Sequence, residues 1–198
     1  MDDDIAVPAA VRLLRDFVNT FEPQIDDETL IDPDQLRDWF VDRDLMVADA
    51  RLGPTDLDTA VTVREGLRAV LLGHAGHHAD PSALDRLNEA LAGAPVTLRF
   101  TDGNHGFVAA GSSPLDHALA GLVDAIRRCG EDGTWQRLKV CARDTCRWAY
   151  YDASRNQARR WCSMAGCGNY IKMRRAYAAR TGRARAAAAG GTTAPATG

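Results

Sequence analysis

The chain has 198 residues, 45% hydrophobic and 26% charged, with a formal net charge of -3. That composition fits a globular fold and is too rich in apolar residues for a disordered chain. No run of eighteen apolar residues occurs, so no membrane span is expected, and the acidic start Met1-Asp2-Asp3-Asp4-Ile5 lacks the basic and apolar regions of a secretory signal. The expected compartment is therefore cytoplasmic, where thiols stay reduced. The small net charge conceals a split. Residues 1–136 carry 11 Lys/Arg against 25 Asp/Glu, a net of -14, and residues 137–198 carry 13 against 2, a net of +11. An acidic body with a basic end points to an anionic partner for that end.

In chain order, Pro8 opens a predicted helix with Val11, Leu14, Val18 and Phe21 at helical spacing, ending near Glu22-Pro23. Asp26 to Ile31 reads as a polar connection. Asp32-Pro33-Asp34-Gln35 supplies an N-cap, a first-turn proline and a capping-box glutamine for a second helix burying Leu36, Trp39 and Phe40. A third helix is predicted over Asp56–Leu72, with Leu57, Val61, Leu67, Val70 and Leu71 inward. His74, His77 and His78 then fall in a predicted loop and read as exposed, because no cysteine or carboxylate of suitable spacing accompanies them. Asp80-Pro81 caps a fourth helix with Leu84, Leu87 and Leu91 on one face.

Val96–Phe100 alternates apolar and polar residues, and Phe107–Ala110 follows the turn Asp102-Gly103-Asn104, so one hairpin with a half-buried face is predicted. Ser113-Pro114 caps a fifth helix whose stripe runs Leu115, Leu119, Leu122, Val123, Ile126 and Cys129, and Cys129 reads as a core thiol. Gly130-Glu131-Asp132-Gly133 is the predicted domain boundary. The fold class is thus α+β: a mainly helical N-terminal domain with a β-hairpin over 8–132, a small four-cysteine module ending in a basic helix over 134–185, and an Ala/Gly/Thr/Pro-rich tail over 186–198, expected to be disordered.

Cys141 and Cys146 form one pair, Cys162 and Cys167 another; each pair encloses four residues, and fifteen separate the pairs. Two matched pairs can clip one tetrahedral zinc ion, the span between them folding as a hairpin. Four thiolates close the coordination shell, so the expected ion is single and structural, and no catalytic residue is assigned. Val140, Trp148, Tyr150 and Trp161 are the expected small core beside it. Arg155, Arg159 and Arg160 lie between the pairs, and Lys172, Arg174 and Arg175 follow them, which suits phosphate and guanine edges. Trp148, Tyr150, Tyr151 and Trp161 are alternatively stacking platforms for RNA or single-stranded bases, which makes an RNA or single-strand binder the second reading. No nucleophile elbow, phosphate-binding glycine loop or open metal triad is present, so a small-molecule enzyme is the third reading.

Arg159-Arg160-Trp161-Cys162-Ser163-Met164-Ala165-Gly166-Cys167-Gly168-Asn169, with Cys141, Cys146, Asp152, Ser154, Arg155 and Asn156 upstream, resembles a CGNR zinc finger. Asp16-Phe17-Val18-Asn19-Thr20 and the helix of Leu36 to Leu45 resemble the ABATE domain that precedes such fingers. The resemblance implies a bacterial, stress-induced transcription regulator whose finger binds DNA through zinc held by the four cysteines, and whose N-terminal domain responds to a small-molecule effector. Asn19 near the end of the first helix is the candidate ligand contact, helix-end capping being its alternative role. The chain departs from the motif at Tyr170, where the family has arginine, and Arg174 or Arg175 one turn on is the expected substitute in DNA contact.

Overall fold

The computed structural model describes residues 7–190, with side chains described through Thr181. Two compact units divide the chain, residues 1–162 and residues 163–198. The architecture is α+β, five helices and three two-stranded antiparallel pairs in the first unit and one helix in the second, counted among the described residues.

Helix α1 spans Ala9–Val18 behind Pro8 and buries Ala10, Val11, Leu14, Phe17 and Val18. It stops four residues before the predicted end. Thr20 Oγ1 donates to the Phe17 carbonyl at 2.9 Å, and Arg68 Nη2 takes the Val18 carbonyl at 2.6 Å. With these last-turn carbonyls satisfied from outside the helix, the chain is free to turn. Phe21–Glu22 becomes strand β1 and pairs with Asp27–Glu28, strand β2. The stretch read as helix end plus polar connection is thus a small hairpin.

Helix α2 spans Pro33–Val41, with Asp32 Oδ1 accepting from Gln35 N at 2.8 Å. Gln35 Oε1 reaches one residue further back than a capping box, to Ile31 N at 2.8 Å. Phe17, Trp39 and Phe40 then cluster with ring centroids 5.2 to 6.1 Å apart.

Helix α3 spans Pro54–His74 and buries Ala60, Val63, Leu67 and Leu71 together with Arg64 and Arg68. Leu57, Val61 and Val70, expected inside, are only half-buried. The inner face has rotated to admit the two arginines. Helix α4 spans Pro81–Ala92 and buries Leu87 alone. Gly66 permits the α3–α4 approach: a Cβ there would lie 2.5 Å from Leu87 Cβ.

Strands β3, Val96–Thr101, and β4, Asn104–Ala109, form the predicted hairpin. Its predicted buried face is absent on β3: Leu98 is 46% and Phe100 75% exposed. Only β4 packs inward, its Phe107 N–H donating to Asp124 Oδ1 of helix α5, Pro114–Glu131, at 2.9 Å. Ser113 caps α5 through Asp116 N at 3.0 Å, and Asp116 Oδ2 returns to Ser113 N at 3.1 Å. Cys129 is fully buried in the core stripe, and desolvation holds its thiol above the ordinary cysteine range.

After α5, Gly133 takes a left-handed φ of 66° and Trp135–Arg137 makes one 3-10 turn into strand β5, Leu138–Val140. Strand β6, Ala149–Tyr151, pairs with it. Leu138, Val140 and Ala149 are fully buried in the same cluster as Val11, Phe17, Leu36 and Leu71. The hairpin therefore shares the helical core instead of forming one of its own. Burying Leu138 and Val140 stabilises by about 1.5–3 kcal/mol each.

Helix α6 spans Asn169–Gly190 in the second unit. Its described side chains are half-buried at Ile171 and Thr181 and otherwise exposed. No helix of the described residues is long and apolar enough to cross a membrane.

Candidate metal centre

The register Leu138↔Tyr151, Lys139↔Tyr150, Val140↔Ala149 leaves Cys141–Trp148 as the hairpin loop. The first cysteine pair sits within it, Cys141 at its start and Cys146 two residues before its end. Cys141 N donates to the Trp148 carbonyl, and Cys146 N to the Arg143 carbonyl, both at 2.9 Å. Arg147 turns the chain back with a left-handed φ of 50°. Sequence reading placed the hairpin between the pairs; in fact it encloses the first pair. The stretch between Cys146 and Cys162 is only β6 and then irregular chain. Ala142 N donates to the Arg160 carbonyl at 2.9 Å, aligning the approach to Cys162 with the first loop.

Cys167 lies in a single π-helical turn, Met164–Gly168, whose N-cap Ser163 accepts from Gly166 N at 3.2 Å. Such turns recur at functional sites. The four sulfurs lie within 4.8 Å of one another, and Cys146 Sγ to Cys162 Sγ is 3.7 Å. A disulfide would need about 2.05 Å. A tetrahedron with Zn–S bonds of about 2.3 Å has edges of about 3.8 Å, so this spacing suits a shared zinc ion. Close-packed thiols oppose joint ionisation. Cys141 is pulled down by hydrogen bonds from Cys146 and Cys162, and those two are pushed up by bonding to Cys141. A dication removes the conflict by drawing all four toward thiolate. The four cysteines can hold one zinc ion, and the donor set fits a closed structural site.

Lys139 and Asp152, 5% and 0% exposed, organise the chain between the pairs. Lys139 Nζ reaches Asp152 Oδ2 at 2.8 Å and also donates to the Gln157 carbonyl. Asp152 Oδ2 accepts from Arg159 N at 3.0 Å, and Oδ1 accepts from Ser154 N at 3.1 Å and from the Ser154 hydroxyl. Burial alone would raise the Asp152 carboxyl, but Lys139 and Ser154 outweigh it and hold it below the usual range. Val140 and Tyr150 are buried as expected, whereas Trp148 and Trp161 are half-buried. Tyr150 Oη donates to the Arg159 carbonyl at 2.7 Å.

Among the expected nucleic-acid residues, Arg155 and Arg160 are exposed. Arg159 is half-buried: its Nε donates to the Trp161 carbonyl at 3.0 Å, its Nη2 to the Cys162 carbonyl, and its guanidinium lies 5.2 Å from the Tyr150 ring centre. That side chain supports the cysteine loop. In α6, Tyr170 is 41% exposed, and Lys172, Arg174 and Arg175 are exposed.

Asn19, the candidate ligand contact, is engaged elsewhere through both ends of its amide. Nδ2 donates to the Ala149 carbonyl at 2.9 Å, and Oδ1 accepts from Ala149 N at 2.7 Å. It binds β6 much as a third strand would. Two more long-range supports were missed in sequence reading. Arg68 Nη1 donates to the Arg147 carbonyl at 2.9 Å, and Nη2 to the carbonyls of Val18 and Phe21. Glu65 Oε2 pairs with its Nε at 3.0 Å. His74, expected to be exposed, ends α3 with Nδ1 2.8 Å from the Leu138 carbonyl and its ring edge-on to Trp135. Its burial holds the imidazole below the usual histidine range. His77 Nε2 is 3.3 Å from Arg160 Nη2, and His78 is exposed as expected. The sequence of α3 carries little signal for this role, since Arg64 and Arg68 read as surface charges until their partners are known.

Two family models match. ABATE, described as "Putative stress-induced transcription regulator", matches residues 12–148, more than half of the chain. The chain belongs to the ABATE family. A second model, the CGNR zinc finger, matches residues 137–180. The two matches share residues 137–148, the segment of β5 and the first cysteine pair, which agrees with a hairpin built into the helical core. No curated protein matches the chain.

Proposed function

We propose that the protein is a cytoplasmic transcription regulator that binds duplex DNA through the zinc-dependent finger and α6. The supporting observation is α6 itself. From Asn169 to Gly190 it carries six Lys/Arg and no Asp/Glu, and Lys172, Arg174 and Arg175 are exposed on the helix that follows the four-cysteine cluster. Exposed arginines without acidic neighbours on the same helix suit phosphate oxygens and guanine edges. Arg155 and Arg160, exposed in the first unit, are further candidate phosphate contacts. Arg159 is assigned to loop support instead. Tyr170, in place of the motif arginine, contributes a hydroxyl or a stacking face. The zinc shapes this surface and performs no chemistry, and the protein is assigned no catalytic activity.

The test is a titration of the zinc-loaded protein against duplex DNA over a range of salt. Binding is expected to weaken steeply with salt, and Arg174→Ala and Arg175→Ala each reduce the log–log slope by about one. Binding indifferent to salt and to chelation overturns the proposal. A second reading has one observation in its favour: Tyr170 and Tyr177 are exposed on α6 at 41% and 64%. Seven residues apart, they share a helix face and can stack on single-stranded bases. Competition between duplex and single-stranded probes separates the two.

A further inference from the structure

We propose that the first unit contains a binding site for a small planar aromatic carboxylate, in the cavity where α1 meets β6. This site does not depend on DNA binding. The cavity holds about 440 Å³, within the range of small-molecule sites. One wall is the polar end of α1, with Arg15, Asp16 and Asn19; the other is the face of Trp148, Tyr150 and Tyr151.

The hydrogen-bonding capacity of the lining defines the ligand. Asn19 is spent on both backbone groups of Ala149, and Tyr150 Oη on the Arg159 carbonyl. One amide N–H and the Oδ1 of Asn19, and the hydroxyl proton of Tyr150, are thus already engaged. Arg15 gives only its Nε, to Asp16 Oδ1 at 2.9 Å, and its side chain is 30% exposed. Its two terminal nitrogens have no hydrogen-bond partner among the described residues. The same holds for the Trp148 indole N–H and the Tyr151 hydroxyl. Each of these uncommitted groups can donate, and one of them is a guanidinium, whose fork matches a carboxylate. Aromatic walls favour a flat, π-rich body over an aliphatic chain. Asp16 is the one anionic side chain in the lining and is already paired with Arg15, whereas Arg15 and Arg159 are cationic, so cations are disfavoured. A ring bearing one carboxylate meets all three constraints.

The cavity lining also includes Cys162 and Arg159, which donates to the Cys162 carbonyl. The site thus borders a residue of the four-cysteine cluster, and its guest contacts the loop that presents it.

The experiment uses the full-length zinc-loaded protein with benzoate and indole-3-acetate as probes, and with acetate and benzamide as controls. Binding is read by calorimetry and by the shift of the Trp148 indole N–H resonance. The aromatic carboxylates are expected to bind at least about tenfold more tightly than either control. Arg15→Gln, on the helix surface and outside the core, is expected to weaken benzoate about tenfold or more while leaving the circular dichroism unchanged. Ala153→Phe, which fills the cavity and keeps Arg15, is expected to abolish binding. Equal affinity for acetate and benzoate overturns the proposal, as does an unmoved Trp148 resonance. Benzoate affinity unchanged in both variants places any binding elsewhere and overturns it too. None of these readouts involves DNA, so failure of the regulator reading leaves them intact.

Discussion

The two cysteine pairs are supported by opposite means. The first is mounted on β5–β6, whose Leu138, Val140 and Ala149 are fully buried in the helical core and whose edges are held by Asn19, Arg68 and His74. In the second unit, Cys167 and Gly168 are the only buried residues among those with described side chains. That unit has six Lys/Arg, no Asp/Glu and no apolar stripe to pack. One knuckle is thus folded by burial, whereas the other has too little burial to fold alone. A zinc ion held by the four cysteines would complete the first and create the second.

Zinc removal is expected to break this contrast open most widely. Structural zinc in small fingers is worth about 10–16 kcal/mol of apparent binding energy, which is also folding energy. Chelation should therefore remove α6 helicity, read at 222 nm, while the near-ultraviolet signal of the Phe17–Trp39–Phe40 cluster persists. Loss of both signals together would mean that the first unit depends on metal as well.

Next in size are core substitutions. Leu138→Ala, in a fully buried strand position, is expected to cost about 2–5 kcal/mol, and Met173→Ala, 73% exposed on α6, less than about 0.5 kcal/mol. Urea midpoints of the zinc-loaded protein measure both. Similar costs would erase the distinction between the two supports. Arg68→Met removes a buried charge but strands the carbonyls of Val18, Phe21 and Arg147 and leaves Glu65 with Arg64 alone. Leaving buried acceptors unpaired costs about 1–3 kcal/mol, and the loss should extend to zinc affinity because Arg147 adjoins Cys146.

The same contrast separates what the sequence makes legible from what it hides. Local signals were readable: Asp32, Asp80 and Ser113 cap the helices where side chain and backbone lie within three residues, and the cysteine pairs declare their site by spacing alone. Long-range polar ties were not. Asn19 and Ala149 are 130 positions apart, and Arg68 and Arg147 are 79 apart. Nothing in the neighbourhood of either residue marks a distant carbonyl. Periodicity misled where burial depends on a neighbouring layer. Val96, Leu98 and Phe100 alternate correctly for a strand, yet Leu98 and Phe100 remain exposed. The predicted boundary at Gly130–Gly133 drew on composition, whereas the contacts that join β5 to α3 come from residues on either side of it.

A more local substitution sharpens the role of Asn19. Its amide makes two bonds to one residue of β6, in a position the sequence suggested for ligand contact or capping. Asn19→Ala leaves the Ala149 N–H and carbonyl without that partner and is expected to cost about 1–3 kcal/mol. Asn19→Asp preserves the acceptor for Ala149 N but sets a carboxylate oxygen against the Ala149 carbonyl. At neutral pH it should therefore destabilise about as much as Asn19→Ala. Protonation restores a donor, since a neutral carboxyl carries one O–H. Opposed to a carbonyl, that carboxyl titrates above its ordinary value of about 3.9, so the protonated form is favoured in the folded state. Its contribution is present in full below the unfolded pKa and is lost as pH rises through the folded one. Thermal midpoints of the two variants should thus coincide at pH 7 and separate as pH falls toward 4, with Asn19→Asp the more stable. Coinciding midpoints across that window would show that the amide serves as a spacer and not as a two-point clamp on β6.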